Sequence, residues 1–352
     1  MRDYIALDVH KHYTLAGREG VKSRKTRYSR LEHTKGIFKR YLAEVEPGTT
    51  VALEATGNWY WVVDEIEASG MKPVLVHPYK AKVMLGCINK TDKLDVAGMN
   101  RLQRTGTLPT VWIPPVETRD LRELPRTRMF LTQLRAKLKN RIQATLTKYA
   151  LNVTEYSDPF CQEARQVMAK RIKQLPPQAM KATQQLLQVL NPLEEQIQDQ
   201  EKRIQELTKI TPEMELLMTI PYIGKILSIV IASEVGNISR FAKAENYTSY
   251  AGTAPRVKAS GDKYRIGRLR SDVNRYLKWA YVEAANCACI HQKNFPDRHV
   301  TLLYRRIKQR KGHPKAIGAV ARHLAEATYY VLSKKQAYRD PALNKRIATT
   351  GT

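Results

Sequence analysis

Tyr4-Ile5-Ala6-Leu7-Asp8-Val9 is the stretch whose reading decides the N-terminal fold. A short apolar run beside a cluster of polar residues, His10-Lys11-His12, reads as a buried strand rather than a helix. Asp8 then sits near the end of that strand. An unpaired carboxylate buried there costs several kcal/mol, so it needs a cationic partner or a metal ion.

Around this strand the pattern is that of an α/β domain. Tyr13–Ala16 predicts a second strand and Arg24–Tyr28 a basic edge strand. Thr34-Lys35-Gly36 opens a helix carrying Ile37, Phe38, Tyr41 and Leu42 at helical spacing. Pro47-Gly48 turns the chain into a strand at Thr50–Glu54. A helix follows over 58–69, with Gly70 where its C-terminal cap belongs, then a strand at Pro73–Val76 and a helix at Asp92–Arg104. The predicted order is β-β-β-α-β-α-β-α, ending near residue 112. Pro109, Pro114 and Pro115 make a stiff linker at that boundary.

Beyond the linker the spacings turn helical. Leu121, Leu124, Leu131, Leu134, Leu138, Ile142 and Leu146 predict one long helix over 117–151. A second helical region spans Pro177–Leu207. Its latter half is expected to start at Asn191-Pro192-Leu193-Glu194, with Asn191 as cap and Leu193, Ile197, Ile204 and Leu207 as an apolar stripe. The two regions predict a helical middle over 113–210, read either as an antiparallel coiled-coil arm or dimerisation element or as ordinary bundle helices. A mainly α-helical, basic segment follows over 211–339, with a tail at 340–352.

Charge narrows the class of partner. Sixty Lys and Arg stand against 33 Asp and Glu in 352 residues, a net charge of +27. Self-repulsion of that size destabilises a compact state unless a polyanion neutralises it, and nucleic acid is the polyanion expected. The first ten residues carry no run suited to a signal peptide, and the longest apolar stretch, near Ile226–Ala232, is too short to span a bilayer. The expectation is a cytoplasmic, nucleoid-associated protein without membrane contact. Cys87, Cys161, Cys287 and Cys289 form no disulfide framework, and Cys287 and Cys289 lack zinc spacing.

In so basic a chain the acids carry the information. Asp8 and Glu54 each lie near the end of an apolar strand, and Asp92 and Asp95, three apart, share one face at the start of a helix. Any one of them alone reads most simply as a helix cap or surface charge. Together they form the set that hard divalent cations take, with waters and substrate phosphates completing the shell. Asp on the first strand, Glu on the fourth and an Asp pair on the last helix is the layout of the RNase H-like fold and resembles the RuvC resolvases. ALDVHK (residues 6–11), LEATGNW (53–59) and NKTDKLDVAGM (89–99) resemble the DEDD transposases of the IS110 insertion-sequence family.

The resemblance continues in the basic segment. Thr219-Ile-Pro-Tyr-Ile-Gly-Lys225 is similar to that family's IPGIG element, a helix-hairpin-helix-like turn, with Tyr222 where the first glycine is usual. Such a turn offers backbone N–H groups to a phosphate, here at Gly224 and Lys225. Tyr250-Ala-Gly-Thr-Ala-Pro-Arg256, followed by Lys258-Ala-Ser260-Gly261, resembles the block whose serine is the family's covalent nucleophile. That role falls on Ser260; by itself, a Ser-Gly pair in a basic loop is an ordinary turn. Eight Lys or Arg against two Asp lie between Arg256 and Lys278, and Arg256, Lys258, Lys263, Arg265, Arg268 and Arg270 are the candidates for backbone phosphates.

Membership of this family implies a transposase or recombinase that excises and inserts its element. Asp8, Glu54, Asp92 and Asp95 would hold two Mg²⁺ ions (Mn²⁺ able to replace them) and Ser260 would form a phosphoserine link. It also implies donor and target duplex DNA, a structured noncoding bridge RNA, and an even-numbered homo-oligomer, a dimer or tetramer, whose working site combines domains of different protomers. Two rivals remain at this point: a RuvC-like endonuclease that uses water as nucleophile, and a nucleic-acid-binding protein without activity.

Overall fold

In the computed structural model of the chain, the described residues are 3–21, 25–86, 91–261, 263–269 and 272–342; at 257–260, 263–266 and 268 the description covers the backbone alone. Cys87, Asn89, Lys90, Asp262 and Arg270 lie outside it, as do the tail from residue 343 and Arg24, where an edge strand was expected to begin. The chain divides into two compact units, Met1–Pro114 and Pro115–Thr352.

The first unit is a mixed six-stranded sheet with helices on both faces. Its elements are β1 (Tyr4–Val9), β2 (Tyr13–Glu19), β3 (Thr26–Glu32), α1 (Ile37–Tyr41), β4 (Thr50–Glu54), α2 (Trp59–Ala68), β5 (Lys72–Val76), α3 (Pro78–Leu85), α4 (Asp92–Arg104) and β6 (Thr110–Val111). The spatial order is β3-β2-β1-β4-β5-β6. β1, β2 and β3 are antiparallel neighbours, β1 pairs in parallel with β4 and β4 with β5, and β6 closes the edge antiparallel to β5.

Strand alternation divides the core in two. Ile5, Leu7, Val51 and Leu53 pack with Phe38, Leu42, Val62 and Ile66 on the face covered by α1 and α2. Ala6, Ala52 and Val76 face the other way, against Val96, Met99 and Leu102 of α4. The small residues let α4 lie close. A Cβ added at Gly17 would stand 2.2 Å from the Val96 side chain, so glycine is required where α4 crosses β2. Two side chains then fix the helix along its length: Asn100 Nδ2 donates to the Gly17 carbonyl at 3.1 Å, and Gln103 Nε2 to that of Thr50 at 3.0 Å.

The observed element order corrects the expected one at two points. α3 intervenes between β5 and α4, and β6 follows α4. Pro78 stands in the first turn of α3, where a missing N–H costs nothing, and the helix is too short to show an apolar period. β6 has two residues, below what any sequence pattern can signal.

The second unit is mostly helical: α5 (Val116–Lys148), α6 (Gln162–Ile172), α7 (Pro177–Leu207), α8 (Pro212–Met218), α9 (Lys225–Val235), α10 (Ala244–Tyr250), α11 (Arg275–Ile290), α12 (His299–Lys311) and α13 (His313–Lys334), with a hairpin of β7 (Pro255–Ser260) and β8 (Lys263–Leu269). α5 and α7 run antiparallel, since partner numbers fall along α7 as they rise along α5: Arg128 bonds Glu201 at 2.8 Å and Lys139 pairs with Glu194 at 2.9 Å. Ile142 and Leu146 share a core with Leu190 and with Ala164, Met168 and Ile172 of α6.

α7 does not restart at Asn191. It is continuous, with Pro192 inside it, and the Asn191 side chain accepts from Arg165 Nη1 at 2.7 Å instead of capping. One lost backbone bond at the proline is outweighed by a stripe that stays buried on both sides of it, at Leu190, Ile197 and Ile204.

The basic segment expected as a loop is the β7–β8 hairpin, in which Ser260 pairs with Lys263 next to Gly261, whose φ is +55°. Among the described residues no helix is long and apolar enough to cross a membrane.

Candidate active site

Asp8 follows Leu7 on β1, and Leu7 pairs with Leu53 of β4, so Asp8 and Glu54 stand side by side at the C-terminal ends of neighbouring parallel strands. Alternation gives both the orientation of Ala6 and Ala52, toward α4. Thr91 caps α4 by accepting from the Leu94 N–H, which starts the helix at Asp92 and places Asp92 and Asp95 in its first turn. The anchors at Asn100 and Gln103 hold that turn over the strand ends.

Asp8 and Asp92, 84 residues apart in sequence, meet through a residue that sequence reasoning left without a role. His10 Nε2 lies 3.3 Å from Asp8 Oδ2 and 3.1 Å from Asp92 Oδ2. One donor atom from each of the three falls within 4.8 Å of the others. Asp8 is largely covered, with 17% of its side chain exposed, whereas Asp92 at 43% opens toward solvent. Tyr13 donates its hydroxyl to Asp92 Oδ2 at 3.4 Å. Glu54 and Asp95 are half-buried beside this group, one strand and one helical turn away.

The donor set suits a hard or borderline divalent ion. Ligands bonded at about 2.1 Å and at right angles lie about 3 Å apart, close to the separations seen here. Of the group that converges, Asp8 and Asp92 could supply oxygens and His10 a nitrogen. His10 was findable in the sequence: it lies two residues after Asp8, on the same side if the strand direction continues.

The other predicted residues lie in the second unit. Gly224 and Lys225 are exposed at the start of α9, after a turn from α8 in which Tyr222 takes φ +65°. Tyr222 thus adopts the left-handed conformation that glycine holds more cheaply. Arg256 is exposed at the start of β7, with a guanidinium nitrogen 3.6 Å from Asp272 Oδ1. Ser260, Lys258, Lys263, Arg265 and Arg268 have described backbone only, in the β7–β8 ladder.

Comparison with known proteins follows the same division. A transposase family model for the DEDD proteins of IS110 elements matches residues 5–151, and one described as transposase IS116/IS110/IS902 family matches residues 214–300. The chain belongs to the IS110 family of transposases. The transposase of insertion sequence element IS1111A from Coxiella burnetii is 24% identical over 319 residues, covering 88% of this chain and 86% of that one. The transposase of IS1328 from Yersinia enterocolitica is 22% identical over 284 residues, 80% and 82% of the two chains. The first family match contains the whole carboxylate group; the second contains the α8–α9 turn and the hairpin of this transposase.

Proposed function

We propose that this transposase moves its element by breaking and rejoining DNA strands at a divalent-metal site held by Asp8, Glu54, Asp92 and Asp95, with Ser260 as the attacking group. The observation that carries the reading is the convergence of Asp8 and Asp92 from two separate elements on one point, with Glu54 in register on the adjoining strand. The strand order β3-β2-β1-β4-β5, three antiparallel then parallel, supports an RNase H-like, RuvC-like assignment for residues 1–112.

Mg²⁺, or Mn²⁺ in its place, would neutralise charge on the phosphate and hold the attacking and leaving oxygens in line when two ions are bound. The four carboxylates fix where that charge sits. Ser260 Oγ forms a bond to phosphorus as the bond from phosphorus to the 3′ oxygen breaks, and the serine proton ends on the released 3′-hydroxyl. The later attack of a 3′-hydroxyl on the phosphoserine reverses the step and frees the serine. Arg256, Lys258, Lys263, Arg265, Arg268 and Arg270, with Gly224 and Lys225, serve the phosphodiester backbone.

A structured bridge RNA pairs with donor and target DNA, which accords with a net charge of +27, and a dimer or tetramer holds the two duplexes together. The helices of 113–210 act as a coiled-coil arm or dimerisation element, and 211–339 as the domain carrying the nucleophile. The protein works in the cytoplasm, at the nucleoid.

The test is adduct formation on DNA carrying the element's ends, with the element's RNA and Mg²⁺. Wild-type protein gives a denaturant-resistant protein–DNA adduct and Ser260→Ala gives none. Undiminished cutting by Ser260→Ala without any adduct in the wild type would instead identify a RuvC-like endonuclease that uses water.

A further inference from the structure

We infer that His10 is a nitrogen ligand of the divalent ion at the Asp8–Asp92 site, and that it biases this site toward Mn²⁺ over Mg²⁺. The inference rests on the metal-binding reading of the acids given above and adds to it a donor of a different kind.

Position comes first. His10 Nε2 is near both carboxylates at once, 3.3 Å from Asp8 Oδ2 and 3.1 Å from Asp92 Oδ2. An ion that held both acids and this nitrogen at bonds of about 2.1 Å and near right angles would need them about 3 Å apart, which these separations approach. A histidine that only covered the acids from outside would leave the two oxygens facing each other and itself behind one of them.

The ring is also held in place. Its backbone N–H donates to the Tyr13 carbonyl at 2.9 Å, and its carbonyl accepts from Asn58 Nδ2 at 2.7 Å. Asn58 Oδ1 in turn accepts the Thr56 hydroxyl at 3.0 Å, which ties His10 to the turn that follows Glu54. The imidazole packs on the Tyr13 ring, centroids 4.6 Å apart, and the Arg30 guanidinium backs that ring at 3.6 Å. The backbone bonds fix the main chain of His10, and the contact with Tyr13 restricts the ring. Preorganisation of this kind is what metal ligands require of their surroundings.

Chemistry gives the consequence. Mg²⁺ takes oxygen donors and gives up water reluctantly, whereas imidazole nitrogen favours the first-row divalent metals, Mn²⁺ weakest among them and Mg²⁺ below all. Four carboxylates alone would discriminate little between Mg²⁺ and Mn²⁺. One imidazole in the shell tips the balance.

The alternative role is a protonated His10 that bridges the two acids only while no metal is bound. The two roles differ in whether nitrogen touches the ion. Full-length protein loaded with Mn²⁺ is measured by titration and by electron spin-echo modulation. Wild type should show ¹⁴N modulation from imidazole, and His10→Ala should lose it while still binding Mn²⁺ on the order of tenfold more weakly, with Mg²⁺ affinity changed less. His10→Asp should regain affinity without the nitrogen signal, and circular dichroism should match in all three. Mn²⁺ bound in an Asp8-dependent manner with no ¹⁴N modulation, or modulation that persists in His10→Ala, overturns the inference and leaves the carboxylate site standing. Mn²⁺ binding that is absent, or unchanged in Asp8→Asn, overturns both.

Discussion

Asp8 and Glu54 stood out because each interrupts an apolar strand near its end. The Asp92–Asp95 pair stood out by its helical spacing. His10 could be seen two residues after Asp8 but could not be given a role, because that takes geometry: β1 must pass into β2 with Tyr13 folded back on the His10 ring before the imidazole lies between two acids. A second residue pattern was equally silent. Glu234, with 2% of its side chain exposed, accepts from Arg126 Nε at 2.7 Å and Nη2 at 3.1 Å and from Asn274 Nδ2 at 2.9 Å, with Arg122 Nε at 3.7 Å. Nothing in the sequence of α9 singles out this acid, and its partners lie more than a hundred residues before it and forty after it. Asn274 also caps α11 and donates its backbone N–H to the Tyr250 carbonyl at 2.9 Å, so the carboxylate ties α9 to the start of α11. Glu234→Ala removes the buried carboxylate against which the largely buried guanidinium groups of Arg122 and Arg126 are placed. It should destabilise the protein by about 3–5 kcal/mol, read as a shift of the urea unfolding midpoint, and Glu234→Gln by less.

Elements were legible where a period ran long enough. The spacing of leucines located α5, and the ends of α7 fell at the predicted residues. α3, β6 and the β7–β8 hairpin were not read, for they are short, or basic in both strands, and carry no apolar alternation. The C-terminal end of α5 shows why its predicted boundary ran past Lys148. The Leu151 N–H bonds back to Leu146 and the Ala150 N–H to Thr147, a helix stop that normally places glycine at the left-handed position. Here that position is Ala150, at φ +58°, so the expected glycine signal is missing. Ala150→Gly should remove this strain and stabilise the protein by about 0.5–1 kcal/mol, measured as a raised melting temperature. A fall would show that the left-handed turn contributes no strain.

At the scale of the whole molecule the sequence carried one division, at the linker prolines, and the expectation of a polyanionic partner, because prolines and an excess of 27 positive charges are properties of composition; the further division expected near residue 210 has no counterpart in the two compact units. Binding of nonspecific duplex DNA should weaken steeply with salt. If six to ten phosphates are contacted, affinity falls by about 10³–10⁵ between 50 and 200 mM salt, the slope giving the number of contacts. A flat response would mean that the charge serves some other purpose. What composition could not supply is the meeting point of the acids, which depends on Gly17 and Asn100 bringing α4 down on the sheet.

The most direct test of that meeting point is Mg²⁺-dependent cleavage of DNA bearing the element's ends by Asp8→Asn, Glu54→Gln and Asp92→Asn proteins, with DNA binding measured alongside. Each substitution should lower the cleavage rate by about a hundredfold or more while leaving binding within about twofold. Cleavage at the wild-type rate in Asp8→Asn or Asp92→Asn would contradict the account, for the acids would then meet without taking part in the reaction.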